Sequence, residues 1–387
     1  MNSVEVIGTG LAPFGRFDGV PVTDIGLTAV RSALAEAGVG RGGFQAAFCA
    51  TAYGGVASGH KVLGALGMTG MPIVDVEAGC ASGAAAMMLG ASAIEAGQYD
   101  TVVVFGLEKM PKGIIRSSFF EPWQEAAGLA ATPSYFALRA QRLMATSGVT
   151  KEHLAAVVVK NRRSGADNPD AMFRSPVDAG AVLRSRVVCE PLHLWMLCSP
   201  NEGAACVVLR SARSTAGGTG VAAVSAPRVK VASAVLRSHL PGAVLSESTP
   251  LSGLIDDAVP APSTLAADAA YEEAGLGPGE LDVVECQDTD AARELLAYEE
   301  LRLCPFGGAA AMLEGGDSAP GGRLPVNSSG GLLSKGEPLG ASALGQVVEL
   351  VRQLQGRAGP RQVAGARVGL AHTVGRGANA GVIIVTS

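Results

Sequence analysis

The chain has 387 residues, enough for two core-sized units or one large duplicated one. Hydrophobic residues make up 48 % and charged residues 17 %, with 52 glycines, which describes a tightly packed interior rather than disorder. A net charge of −5 gives no broad attraction for nucleic acid or an anionic membrane surface, and no apolar run approaches the ~20 residues needed to span a bilayer.

From the N-terminus, "MNSVEVIGTG" lacks the basic region and apolar stretch of a signal peptide, so a cytoplasmic location is expected. An alanine-rich amphipathic helix then runs into "AGVGRGGFQAAFCA" (37–50), a short loop and an apolar strand. This stretch aligns without gaps on "AGLGPGELDVVECQ" (274–287), placing Cys49 over Cys286. A second pair, "LGASAI" (89–94) and "LGASAL" (339–344), repeats at a wider spacing, which predicts two related halves with one insertion between the pairs. "PIVDVEAG" reads as a strand, "CASGAAAMMLGASAIEAG" as a buried helix ended by Gly97, and "TVVVFG" as the next strand. Roughly 112–225 has a different grammar. It is aromatic and charged ("RSSFFEPWQ"), then helical ("TPSYFALRAQRLMATSGVTKEHLAAVVVKNRR"), then a loop with Asn and Pro, and is expected to be an inserted loop domain over the site. In the second half "RLPVNSSGG" reads as strand and loop, "PLGASALGQVVELVRQLQG" as a helix, and "VGLAHTVGRGANAGVIIVTS" as two strands around a glycine loop. Two similar sheets should pack against one another, residues 1–225 forming the first half with its insertion and 226–387 the second.

The odd set of seven cysteines, mostly within apolar runs such as "GAACVVL", reads as reduced thiols, and the histidines 60, 153, 193 and 239 show no ligand spacing, so no metal site is expected. Cys80 stands apart because it falls at the junction of a strand and a helix rich in small residues. There the helix N-terminus turns its free N–H groups and positive dipole end toward the sulfur, lowering a thiol pKa and favouring an oxyanion. The glycine loops "GTGLAPFG" and "GRGANAG" lack the spacing and following helix of a dinucleotide fingerprint.

Together "VEAGCASGAAAM", "VFGLEKMPKG", "SPNEGAACVVL", "LLAYEELRLCP" and "NSSGGLLSKGEPLGAS" resemble the thiolase superfamily, in particular the branch that includes the thiolase part of sterol carrier protein x. The resemblance runs from about residue 2 to residue 385. It implies an α/β fold of two similar βαβαβαββ halves in a five-layered αβαβα core, with a loop domain inserted in the first. It further implies a cysteine at position 80 that takes an acyl group from an acyl-CoA, a histidine in a "GHP" motif, an Asn or His in "NEAF" or "HDCF", a second base, and a C-terminal glycine completing an oxyanion hole. Here Cys80 and Gly375 match. Glu337 in "GEP" replaces the histidine, Gln287 in "QDTD" takes the Asn or His position, and Thr289 and Thr373 stand where second thiols are found. His372 matches a histidine often seen in this branch, and Cys198 and Cys304 are expected to be structural.

Glu337 admits three roles. Ionised beside a thiol it disfavours thiolate; protonated it can donate to a thioester oxygen; as a base it can activate a hydroxyl, amine or carbon acid. It is also readable as a solvated loop residue in a chain that has lost activity. Three activities follow from the resemblance. The first is acyl transfer through Cys80, with a coenzyme A thioester or an acyl carrier protein as donor and no permanently bound cofactor. The second is an aldolase-type lyase acting on a 3-hydroxyacyl-CoA with a small zinc-ribbon/OB-fold partner. The third is a non-catalytic acyl-CoA-binding subunit. A homodimer is expected for all three.

Overall fold

The computed structural model describes residues 3–67, 70–113, 115, 122–128, 131–214, 227–240, 259–375 and 379–387. Strands β1 (Val4–Gly15), β2 (Ala46–Ala50), β3 (Ile73–Val76) and β4 (Thr101–Lys109) belong to the first half. The short hairpin β5 (Val187–Cys189) and β6 (Leu192–His193) lies in the insertion, and β7 (Glu202–Ser211) returns to the first half. The second half contributes β8 (Val229–Ser238), β9 (Val283–Cys286), β10 (Val368–Gly375) and β11 (Asn379–Thr386).

The order β3-β2-β4-β7-β1-β8-β11-β10-β9 makes the duplication visible. Three parallel strands (β3, β2, β4) are followed by antiparallel β7 and β1. Read inward from its own edge, the second half repeats this pattern: a parallel bridge at Val326 onto Val284 of β9, then β10, and antiparallel β11 and β8. The two half-sheets are not separate. They join where Val4–Val6 of β1 pair antiparallel with Val229–Val231 of β8.

Between the half-sheets lie the helices Ser82–Glu95 and Leu339–Leu354, which contact each other and strands from both halves. Every residue of Leu339–Leu354 except Arg352 is buried, as expected of a helix covered on all sides. Val22–Ala37 covers β1, β4 and β7 from outside, and Pro262–Ala274 covers β8 and β11, giving the αβαβα layering.

Three expectations change. "RLPVNSSGG" contributes only the Val326 bridge, not a strand. The insertion ends at Glu202 rather than near 225, because the apolar run 202–211 fills the place between β4 and β1 in the sheet. "LGASAI" occupies the end of its helix whereas "LGASAL" opens the other, so that pair is not structurally equivalent. The alignment of 37–50 on 274–287 does correspond: both helices end at a left-handed glycine (Gly38 φ 62, Gly275 φ 66) before β2 and β9.

The helical part of the insertion is two helices, Thr132–Ser147 and Lys151–Ala166, broken at Gly148 (φ 65). Thr150 starts the second by a reciprocal cap with His153. Tyr135, Leu143, Leu154 and Met196 share one hydrophobic core with Leu295, Tyr298 and Leu333 of the second half. The insertion is thereby packed over the loops that follow β9 and precede Leu339. Most of "RSSFFEPW" and residues 241–258 lie outside the described residues.

Candidate active site

Cys80 sits where β3 gives way to the helix Ser82–Glu95. Gly79–Ala81 forms one 3₁₀ turn with Gly79 at φ 58, a value that a side chain would strain. Ser82 Oγ donates to Gly79 O at 2.6 Å and accepts from Ala78 N at 2.8 Å, which locks the turn. The Cys80 side chain is 6 % exposed and packs with Met110 and Leu339. Gly375 lies against the same turn, so closely that a Cβ there would stand 2.0 Å from Ala78 O. Gly83 packs on Gly340 and Ala343 at the start of Leu339–Leu354. Two helix N-termini therefore meet at the Cys80 turn, an arrangement that favours negative charge on the sulfur.

Glu337 precedes the second of these helices and is 5 % exposed, not solvated. Its turn is gripped by the segment 198–201. Glu337 N donates to Ser199 O at 2.9 Å, Asn201 Nδ2 donates to Lys335 O at 2.8 Å, and Gly336 (φ 84) leaves no room for a Cβ beside Asn201. Gln287 Nε2 donates to Glu337 Oε1 at 2.9 Å. The orientation of that amide follows from its other end, since Val374 N–H, which can only donate, reaches Gln287 Oε1 at 2.6 Å. Cys198 Sγ donates to Glu337 Oε2 at 3.3 Å. Both carboxylate oxygens thus have a hydrogen-bond partner.

Of the five sequence-predicted residues, the structure brings Gln287 and Glu337 into contact and sets Gly375 against the Cys80 turn. His372 is held apart from them. Its Nε2 is 2.9 Å from Ser263 Oγ on the outer helix Pro262–Ala274, and burial first, then Arg293, hold its pKa well below the usual imidazole value. Thr289 is tied to Asp290 and Arg139. Thr373 is buried, and its hydroxyl has no hydrogen-bond partner among the described residues.

Two groups were not anticipated. Cys198, expected to be structural, faces Glu337; burial and the Glu337 carboxylate push its thiol well up, so it remains a donor, and Asp288 and Cys80 are further titratable groups acting on it. Glu108 of "VFGLEKM" is fully buried and accepts from Ala52 N at 2.8 Å, Tyr53 N at 3.0 Å, Thr51 Oγ1 at 3.2 Å and Gly340 N at 3.2 Å. It ties the loop after β2 to the helix that carries Leu339. A lone acidic residue at the end of the continuous apolar run "VVVFGL" was the available signal for Glu108. Among the described residues no His, Cys, Asp and Glu group is arranged to hold a metal ion, and no helix is long and apolar enough to cross a membrane.

A cavity of about 1100 Å³ lies beside the outer helix Pro262–Ala274, lined among others by Val374, Ser263, Leu296, Phe306 and the basic Arg142; Cys80, Gln287, Glu337 and Gly375 are not among its lining residues.

The sequence matches the thiolase N-terminal domain over residues 4–194 and the thiolase C-terminal domain-like family over residues 247–387. Sterol carrier protein 2 of Bos taurus is 32 % identical over 401 residues, covering 100 % of this chain and 72 % of that protein. An acetyl-CoA acetyltransferase of Methanothermobacter thermautotrophicus is 33 % identical, covering 97 % of each chain. The benzoylsuccinyl-CoA thiolase subunit BbsB of Thauera aromatica is 33 % identical, covering 98 % of this chain and 96 % of that one. The solved Ltp2-ChsH2(DUF35) aldolase shares the fold with a TM-score of 0.86 at 23 % identity, over 99 % of this chain and 98 % of that chain. With both halves matched and relatives at this identity spanning the whole chain, the protein belongs to the thiolase superfamily.

Proposed function

We propose that the protein is an acyltransferase in which Cys80 carries the acyl group and Glu337 is the base of the second half-reaction. In the first half-reaction Cys80 sulfur attacks the thioester carbon of an acyl-CoA or acyl carrier protein. The carbon–sulfur bond to the donor breaks, and the Cys80 proton passes to the departing thiolate. In the second, Glu337 takes the proton of an acceptor, carbon or heteroatom, as that atom attacks the acyl carbon. Cys80 leaves as thiolate and recovers the proton from Glu337.

The observation that carries this reading is the Glu337 carboxylate held by Gln287 and Cys198, two residues before Leu339, which packs on Cys80, at the position where the resemblance implies a histidine. A base of this kind suits an acceptor already within the pocket better than activation of the thiol, which the two helix N-termini supply instead. β3 is an edge strand with Val74 exposed, which a second copy would extend, consistent with a homodimer.

A second reading is a lyase that cleaves a 3-hydroxyacyl-CoA with a zinc-ribbon/OB-fold partner. It is favoured by the lack of a thiol at Thr289 and Thr373. Intact-mass measurement after incubation with a panel of acyl-CoAs separates the two. An adduct present in the wild type and lost in Cys80→Ala is expected; no adduct, with lyase activity that survives Cys80→Ala, sinks the acyl-enzyme. Binding of CoA esters without adduct or turnover would mark a non-catalytic subunit.

A further inference from the structure

We infer that Cys198 is a positioning residue for Glu337, completing a hydrogen-bonded set Cys198–Glu337–Gln287 that fixes the carboxylate in its unprotonated form for the deacylation step. The inference rests on the reading of Glu337 as base.

Three observations converge on it. First, the thiol is 3.3 Å from Glu337 Oε2 while Gln287 occupies Oε1, so the carboxylate is held at both ends rather than left to rotate. Second, the segment bearing Cys198 is pinned on both sides. Cys198 N donates to Thr289 O at 2.9 Å, beside Gln287, and Ser199 O accepts from Glu337 N at 2.9 Å. The backbone thus couples the loop after β9, the segment 198–201 and the "GEP" turn into one unit. Third, the chemistry of the donor is suitable. A buried thiol beside a carboxylate keeps its proton, so it gives a hydrogen bond without competing for the proton that Glu337 must collect. An imidazole at 337 would combine base and ring rigidity in one side chain. A glutamate is more flexible, and Cys198 and Gln287 supply the orientation it lacks.

The consequence is readable in the pH dependence of one half-reaction. Removing the Sγ–H donor makes the carboxylate anion less stable, so the acidic limb of the deacylation profile moves up. Asp288 and Cys80 are the other titratable groups acting on Cys198, and Cys80 is acylated, hence silent, during this step.

The test is to load the full-length protein with an acyl-CoA that gives the Cys80 adduct, remove the excess, and follow deacylation by intact mass across pH. Wild type, Cys198→Ala, Cys198→Ser and Glu337→Gln are compared. The expected result is deacylation about tenfold slower in Cys198→Ala, with the acidic limb about one unit higher, and both restored in Cys198→Ser. A Cys198→Ala profile superimposable on wild type, or a slower rate with the limb unmoved, overturns the inference. Should Cys198→Ala fail to fold, Cys198→Val, which keeps the volume and removes the donor, takes its place with the same expected shift, and an unmoved limb there overturns the inference. Glu337→Gln keeps the two failures apart. If it deacylates as wild type does, Glu337 is not the base; if it is slow while Cys198→Ala is normal, only the role of Cys198 falls.

Discussion

On the proposed function Glu337 serves the second half-reaction and thiol activation falls to backbone dipoles, and two residues test that division. Glu337→Gln keeps the hydrogen-bonding shape but cannot take a proton. Acylation of Cys80 should persist, while deacylation falls by about 10²–10⁴-fold, so that the adduct accumulates in the intact-mass spectrum. Equal loss in both steps would return thiol activation to Glu337. Gly375→Ala tests the other half of the division. Its Cβ would stand 2.0 Å from Ala78 O, so the Cys80 turn must shift. Acylation should slow about 10²-fold with Glu337 untouched, and an unaltered acylation rate would show that the turn does not depend on the approach of β10.

At the scale of elements, β10 carries two faces with different tasks. Thr373 and Gly375 look toward the helix Ser82–Glu95, with Gly375 closing on the Cys80 turn, while His372 on the alternate face is buried against Ser263. His372 is neutral in the folded state, with its pKa below the unfolded value near 6.5. Above that value both states are neutral and the histidine contributes no pH dependence. As pH falls below it, the unfolded state binds a proton the folded state refuses, so stability is lost with a slope of up to about 1.4 kcal/mol per pH unit. Replacing His372 by Gln should flatten the fall of Tm between pH 6.5 and 5, and an unchanged slope would assign that fall to other groups. Much of this architecture was legible in the sequence. The Ala-Gly helix ends at 38 and 275 announce themselves because a left-handed cap selects glycine, and Cys80 because a thiol between a strand and a small-residue helix is an unusual local pattern. Cys198 was not legible. Its partner lies 139 residues away, and a cysteine in an apolar run carries no local sign of which loop will be laid beside it. The misleading "LGASA" pair failed for the opposite reason, since small residues suit any crowded helix and do not fix its register.

For the whole molecule, the decisive element is the helix Leu339–Leu354, which contacts β4 and β7 of the first half, β10 of the second, and the helix Ser82–Glu95. Neither half can bury its own central face without it, and the insertion shares its core with the second half. Units so joined should unfold together, although chains of this size commonly populate intermediates. The two tryptophans offer a clean probe because Trp123 and Trp195 both lie in the insertion, whereas far-UV circular dichroism reports the entire fold. Urea unfolding followed by fluorescence and by dichroism should give coincident transitions. Leu344 is fully buried between the half-sheets, so Leu344→Ala should lower stability by about 2–5 kcal/mol and move both transitions by the same amount. If the fluorescence transition instead stayed in place while the dichroism midpoint fell, the insertion would be an independent unit. The loops it covers would then be held over the candidate site by docking alone rather than by a core continuous with the Glu337 turn.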